Sequence, residues 1–221
     1  MAFSEEKKDS IIYLVVAVFI IIVIIVTIFL STNELISAKI DDSILGFSWI
    51  EDIKERDSGS GFLGFGKWAS FTYKNNNLSY PAYVTVTSFK TLFMMNEKDL
   101  RSKMEDAIKE SYKQGVIVDI ENKTTGERIL LNGHKTFYSV YDGIYFFGDV
   151  NEKIKIIGET WNCVASGTSI ICIGYAQITD YAHNSSEINL DYWTKILKDE
   201  NGVFGSDYKG FDGLLFNVKC H

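Results

Sequence analysis

The stretch from Ile11 to Leu30 constrains this chain more than any other feature. It is twenty residues long, contains no charged side chain, and its polar members are only Tyr13 and Thr27. At the helical rise, twenty residues span about 30 Å, the thickness of the hydrocarbon core of a bilayer. In lipid, a single segment satisfies its backbone N–H and C=O groups only as a helix. We therefore predict a transmembrane helix over Ile11–Leu30.

Two other interpretations of this stretch stay open. One is a buried helix of a soluble protein, although such helices are rarely apolar on every face over this length. The other is a cleaved signal peptide, since Lys7 and Lys8 resemble its basic start and Ser37-Ala38 offers small residues near a cleavage position. The apolar region of a signal peptide, however, usually covers only about 7–15 residues.

The charges that flank the stretch predict its orientation. Lys7 and Lys8 precede it closely, whereas Lys39 is the only cation that follows it closely. Because the excess of lysine and arginine belongs on the cytoplasmic side, we place the N-terminus inside and the bulk of the chain outside the cell membrane. The predicted parts are a cytoplasmic tail (1–10), the transmembrane helix (11–30), a juxtamembrane connector (31–43) and an extracytoplasmic domain (44–221).

Composition narrows the class and the partners of this domain. Fifteen Phe, twelve Tyr and four Trp give the chain the aromatic content of a folded protein, and the domain is long enough for one core. The net charge of −7 repels nucleic acid and anionic lipid, so we expect neither as a partner of the domain. The predicted partners are membrane lipid, through the anchor helix, and another protein of the cell envelope.

A glycine-rich run, Asp57–Gly66, superficially matches nucleotide-binding patterns. Those patterns need a buried strand before the glycines and a helix after them, so that phosphate meets the helix N-terminus. Here the charged segment Glu51–Asp57 comes before, strand-like Trp68–Tyr73 follows, and Trp68 occupies the position of the magnesium-binding Ser or Thr. We predict a hairpin loop and no nucleotide partner.

Periodicity predicts two strands and then a helix. Alternating β-branched and aromatic residues favour strands over Lys67–Tyr73 and Ala82–Phe89. The helix is predicted over Asn96–Gln114, with Asn96 as its cap and Asp99 as the capping partner. Gly115 stands where a left-handed residue commonly ends a helix.

The rest of the domain is predicted to be mainly antiparallel strands. Asn132-Gly133 is a strong hairpin signal, and Asp142-Gly143 is predicted as a further turn. Consecutive strands joined by tight turns pair antiparallel, which makes the fold α+β, an antiparallel sheet with helices packed on it. The predicted strands are Val116–Lys123, Glu127–Leu131, Lys135–Tyr141, Lys153–Val164, Ser169–Thr179 and Gly213–Val218, with a second helix over Asn184–Asp199.

This order of elements resembles the PsbP-like fold, an α/β/α sandwich first known from lumenal photosystem proteins. The resemblance covers roughly Trp68 to Leu197 and depends on the element order, on the run Asn132–Tyr138 entering a central strand, and on the late helix around Trp193. Similar domains lie outside the membrane in many prokaryotes, including archaea, on single N-terminal anchors. The resemblance implies a non-enzymatic binding or assembly role and supplies no catalytic residues.

The sequence contains no recognisable catalytic motif. Only Cys220-His221 places a histidine and a cysteine at ligand spacing, and His134 is interpreted as a structural hydrogen-bond former beside a hairpin. Glu159 and Asp180 are isolated carboxylates. We therefore predict no catalytic residue, no metal ligand and no cofactor.

Two functional hypotheses result. The first is a membrane-anchored, extracytoplasmic binding or assembly domain without enzymatic activity, acting as a subunit or accessory factor of an envelope complex. The alternative is a membrane-anchored extracytoplasmic enzyme, hydrolase-like, whose site is assembled from distant residues. A deep pocket with convergent polar groups would favour the enzyme, and a shallow apolar patch would favour the binding domain.

A disulfide is predicted between Cys163 and Cys172. If Gly167-Thr168 forms a two-residue turn, Cys163 lies directly opposite Cys172 in a non-hydrogen-bonded pair, within disulfide reach. An oxidising exterior would preserve the bond. Cys220 is left over, either free or intermolecular.

Three Asn-x-Ser/Thr triplets predict glycosylation of the extracytoplasmic domain where the host has the machinery. Their acceptor residues are Asn77, Asn122 and Asn184.

Overall fold

The computed structural model describes residues 15–24, 34–41, 45, 49–61, 66–75, 81–91, 93–111, 115–130, 132–147, 150–180, 185–188 and 214–221. A helix covers 15–24 (α1) and a second covers Glu97–Glu110 (α2). Short 3-10 helices lie at Ile53–Glu55 and Leu214–Asn217. The strands are β1 (Lys39–Ile40), β2 (Trp49–Glu51), β3 (Asp57–Ser60), β4 (Gly66–Asn75), β5 (Ala82–Thr91), β6 (Val116–Val118), β7 (Thr124–Ile129), β8 (Lys135–Phe147), β9 (Val150–Cys163), β10 (Thr168–Gln177), β11 (Thr179–Asp180), β12 (Ser185–Ile188) and β13 (Val218–Lys219).

One large antiparallel sheet dominates the described residues. Its order is β2-β4-β5-β10-β9-β8-β6, while β3 pairs with the other half of β4 and β7 with the other half of β8. Two small ribbons, β1 with β13 and β11 with β12, are also antiparallel. The predicted α+β class is confirmed. At the glycine-rich run, β3 pairs antiparallel with β4, as expected of the predicted hairpin, and residues 62–65 lie outside the described ones.

Helix α2 packs on one face of the sheet. The Asn96 side chain accepts the Asp99 N–H at 2.9 Å, which confirms the predicted cap. Leu100, Met104 and Ile108 are buried, and together with strand residues such as Tyr141 they form the core of this face. The helix ends at Glu110, earlier than predicted.

The opposite face of the sheet is covered by the chain before β2 and by the residues around β13. Ala38 N–H donates to Ser88 Oγ at 2.7 Å, and Ile40 N–H donates to the Tyr73 hydroxyl at 3.0 Å. Leu214 and Leu215 complete a core with apolar residues of β4, β5, β9 and β10. The two ends of the described domain therefore meet on one face.

The predicted turn at Asp142-Gly143 is wrong, because both residues lie inside the long strand β8. Gly143 pairs with Val118 on one side and with Ile154 on the other. A Cβ at Gly143 would lie 3.0 Å from the Ile117 carbonyl oxygen and from Ile154 Cγ1. Glycine serves close packing between strands here, a use that the sequence pattern does not distinguish from a turn.

The β9–β10 hairpin is confirmed, but its predicted register is wrong. Residues 164–167 form the turn, so Cys163 pairs with Thr168 and Cys172 pairs with Glu159. All three cysteines are free, and the predicted Cys163–Cys172 disulfide is absent. A four-residue turn satisfies the chain reversal as well as a two-residue turn does, and it moves the two cysteines out of alignment.

Two predictions near the end of the chain are partly replaced. Residues 185–188 form strand β12 instead of the first turn of the helix predicted over Asn184–Asp199, whose later residues lie outside the described ones. The edge strand predicted over Gly213–Val218 is a 3-10 helix, Leu214–Asn217, followed by β13.

Helix α1 is the described portion of the predicted transmembrane segment. All side chains of residues 15–24 are exposed, and the other positions of Ile11–Leu30 lie outside the described residues. Among the residues described, neither helix combines the length and the apolarity that crossing a bilayer requires.

Candidate metal centre

Two thiols and two imidazoles converge on the face of the sheet opposite α2. One ligand atom from each of His134, Cys163, Cys220 and His221 lies within 4.8 Å of the others. Cys220 Sγ is 3.1 Å from His134 Nε2 and 3.6 Å from His221 Nδ1, and Cys163 Sγ is 3.4 Å from His221 Nδ1. The histidine rings meet edge to face, with 5.4 Å between centroids.

The turn before β8 positions His134. Asn132 Oδ1 accepts the His134 N–H at 3.1 Å, and Asn132 Nδ2 donates to the Val218 carbonyl at 2.8 Å. Gly133 adopts φ +80°, a conformation that glycine reaches without strain. The Asn132 side chain therefore binds both His134 and strand β13. The sequence predicted a hairpin turn at Asn132-Gly133 but not this contact with β13.

The end of β9 presents Cys163. The Ser166 hydroxyl donates to the Cys163 carbonyl at 3.4 Å and lies 2.5 Å from the Thr168 hydroxyl, which keeps the β9–β10 turn closed under the thiol. Cys163 and Cys220 are both fully buried, whereas His221 is exposed. The pairing of β13 with β1 brings Cys220 and His221 to this place.

The protonation of these groups is uneven. Burial, helped by His221, lowers the pKa of His134, which keeps the imidazole neutral and able to coordinate. Burial opposes ionisation of Cys163, but hydrogen bonds from Cys220, Ser166 and His221 outweigh it and lower the pKa of this thiol. Burial and the neighbouring Cys163 raise the pKa of Cys220 to about 12. Within the cluster, Cys163 therefore ionises more readily than Cys220, and His134 offers a neutral imidazole.

The donor set and its spacing fit a tetrahedral ion. Zinc with sulfur at about 2.3 Å and nitrogen at about 2.0–2.1 Å gives S···N edges of roughly 3.6 Å. The three measured S···N separations, 3.1, 3.4 and 3.6 Å, are close to that edge. Two sulfurs with two nitrogens in a tetrahedron are typical of zinc. All four positions come from the protein, as in a structural site.

The structure places Cys220, predicted to be left over, and His134, interpreted as a structural hydrogen-bond former, in this cluster. Their ligand groups lie 86 residues apart in sequence and meet at 3.1 Å. The adjacent pair Cys220-His221 was the one available signal. Spacing motifs recognise ligands on one local element, and here the ligands come from separate elements.

Glu159, predicted to be isolated, has a partner. Arg128 donates to it through Nε at 2.8 Å and through Nη2 at 2.5 Å, and the Thr136 hydroxyl donates at 2.5 Å. The carboxylate is fully buried and accepts these three hydrogen bonds. We therefore assign Glu159 a structural role. Asp180 lies in β11.

A groove of about 650 Å³ lies beside α2, on the face of the sheet away from the four clustered His and Cys residues. Tyr83, Tyr145 and Tyr175 line it. The ring centroid of Tyr175 lies 5.9 Å from that of Tyr83 and 6.4 Å from that of Tyr145. Asp52, also in its wall, accepts a hydrogen bond from Lys74 at 2.6 Å, and this bond lowers the pKa of the carboxyl. A carboxyl held ionised in this way is a poor general acid.

Among the predicted glycosylation sites, Asn122 lies exposed in the connection between β6 and β7, where its N–H donates to Asp119 Oδ1 at 3.1 Å. Asn77 and Asn184 lie outside the described residues. Glycosylation at the three positions stays a prediction.

Comparisons with protein-family models, with curated proteins and with solved structures find no match for this chain.

Proposed function

We propose that this chain is a membrane-tethered, extracytoplasmic binding domain that holds one zinc ion and has no enzymatic activity. The observation that carries the zinc assignment is the convergence of His134, Cys163, Cys220 and His221 within 4.8 Å. Zinc would join β13 and the residues after it to the start of β8 and the end of β9. The ion thereby stabilises the arrangement on which a partner of the cell envelope is recognised.

The donor set supports binding over catalysis. Catalytic zinc usually has three protein ligands and an open position for water, whereas this cluster supplies four. The only ligand exposed to solvent is His221. In the groove beside α2, the hydrogen bond from Lys74 lowers the pKa of Asp52, which weakens this carboxyl as the acid of a hydrolase.

The tether is proposed from the apolar stretch Ile11–Leu30 and from Lys7 and Lys8 before it. The exposed, wholly apolar surface of residues 15–24 supports it, because lipid is the solvent in which such a surface is stable. A PsbP-like sandwich remains a proposal for the fold family. Protease added to intact spheroplasts should remove the domain, and protection until lysis would contradict the orientation.

Zinc binding is tested on the full-length chain in detergent, reduced and freed of metal by chelation. Titration with Zn²⁺ against a chromophoric chelator should give one ion per chain. Titration with Co²⁺ should give the ligand-field bands of a tetrahedral site and thiolate charge-transfer absorption. Cys163→Ala should weaken binding by more than about 10-fold, since even the loss of an outer-shell partner costs that much.

The matched control is Cys172→Ala, which removes an equally buried thiol outside the cluster. Cys172→Ala should keep wild-type zinc affinity. Equal affinities for the two variants, or no binding by the wild type, would contradict the zinc site. A Cys163–Cys220 disulfide found by alkylation and mass spectrometry in freshly isolated membranes would also overturn it, in favour of a redox pair.

A further inference from the structure

Three exposed apolar side chains lie at the end of the sheet where β9 finishes and β10 begins, which we name the Cys163 end. Phe93 is 80% exposed, Val164 is 77% exposed and Met94 is 40% exposed. They lie together because Asn162 Nδ2 donates to the Met95 carbonyl at 2.9 Å and Met95 N–H donates to Ser169 Oγ at 3.1 Å. These contacts dock the loop before α2 against the β9–β10 turn. Other exposed apolar side chains, Ile117 and Ile144 among them, lie toward the opposite end.

The chain enters the domain at this same end. Lys90, near the end of β5, donates from Nζ to the Glu34 carbonyl at 2.8 Å. The chain then runs along the sheet toward the opposite end, because Ala38 contacts Ser88 and Ile40 contacts Tyr73. Only three residues separate Leu30 from Glu34, and the four Cα–Cα steps between them span at most about 14 Å.

We infer that the Cys163 end rests on the bilayer surface, with Phe93, Met94 and Val164 in the lipid interface. The inference depends on the proposed anchor, because the short connection from Leu30 brings this end to the membrane. Apolar and aromatic side chains on a tethered domain are stabilised when they enter the interface between headgroups and acyl chains.

The proposed zinc site also lies at this end of the sheet. Cys163 immediately precedes Val164, so the proposed zinc site would lie at the membrane surface. A partner that recognises the zinc-stabilised residues would then be an integral or membrane-bound protein.

The test is photocrosslinking of the full-length chain in nanodiscs of phosphatidylcholine and phosphatidylglycerol. The photoreactive residue p-benzoylphenylalanine replaces a native aromatic residue at one of three positions. Phe93 tests the inferred surface. Phe146, exposed at the opposite end of the sheet, is the matched control. Phe19, in α1, reports on the anchor itself. Phe146 is far from the Cys163 end, because its strand-pairing partner Asn151 lies roughly 40 Å along β9 from Cys163.

We expect lipid adducts at Phe19 and Phe93 and few at Phe146, with the Phe93 yield several times that of Phe146. Adducts at Phe19 with equal yields at Phe93 and Phe146 would overturn the inferred surface and leave the anchor standing. Absence of adducts at Phe19 would overturn the anchor and the surface with it. If the Phe93 variant fails to fold, the same residue at Val164 gives the same comparison.

Discussion

The buried ion pair between Arg128 and Glu159 allows the sharpest prediction about stability. The two side chains are 6% and 0% exposed, and the guanidinium contacts both carboxylate oxygens. Glu159→Gln keeps the size of the side chain but removes its charge, so Arg128 loses its carboxylate partner inside the protein. Removing one member of such a pair costs about 3–5 kcal/mol of unfolding free energy.

This cost is measured by urea unfolding of the full-length chain in detergent at constant free Zn²⁺. With an m value of about 2 kcal/mol/M, the midpoint should fall by roughly 2 M. The control is Glu127→Gln on the same strand as Arg128, where Glu127 meets Lys135 at 2.8 Å with both side chains exposed. Water screens that pair, so the urea midpoint of Glu127→Gln should stay close to that of the wild type.

A double variant separates the pair from its individual charges. Arg128→Met with Glu159→Leu removes both charges and should recover most of the loss, since apolar replacements of buried pairs are often neutral. The reasoning is refuted if Glu159→Gln shifts the midpoint no more than Glu127→Gln does. It is equally refuted if the double variant is less stable than Glu159→Gln.

Two further predictions concern packing and metal binding. At Gly158, under α2, a Cβ would lie 2.5 Å from Met104 Sδ, so Gly158→Ala should destabilise the domain by about 1–3 kcal/mol in thermal unfolding. Gly66→Ala, whose Cβ meets nothing closer than 3.7 Å, is the control, and equal effects would contradict the close contact. Zinc binding should release a proton from Cys220 at pH 7, because a thiol with a pKa of about 12 is protonated there. Zinc affinity should therefore fall as pH falls, and calorimetric enthalpies that do not depend on the buffer's ionisation heat would argue against proton release.

Local patterns in the sequence were sufficient for the elements that are stabilised locally. Asn96 and the apolar periodicity after it predicted α2, whose Leu100, Met104 and Ile108 are buried, because a cap and a 3.6-residue period act within one helix. Alternation predicted β4, β5, β9 and β10, and tight connections predicted their antiparallel pairing. The α+β class follows from these elements alone.

Tertiary structure decided what depends on residues far apart in the chain. Asp142-Gly143 lies inside β8 because the neighbouring strands leave no space for a side chain at Gly143. The β9–β10 connection is a four-residue turn, although a two-residue turn would also reverse the chain. Glu159 in β9 pairs with Arg128 in β7 across β8, and the residue pattern within one strand does not predict such a contact. The proposed zinc site needs β13 to pair with β1 beside the Asn132 turn before its four candidate ligand residues meet. Helix caps and strand periods depend on residues that are close in sequence. A candidate metal site built from separate elements forms only when folding brings those elements together.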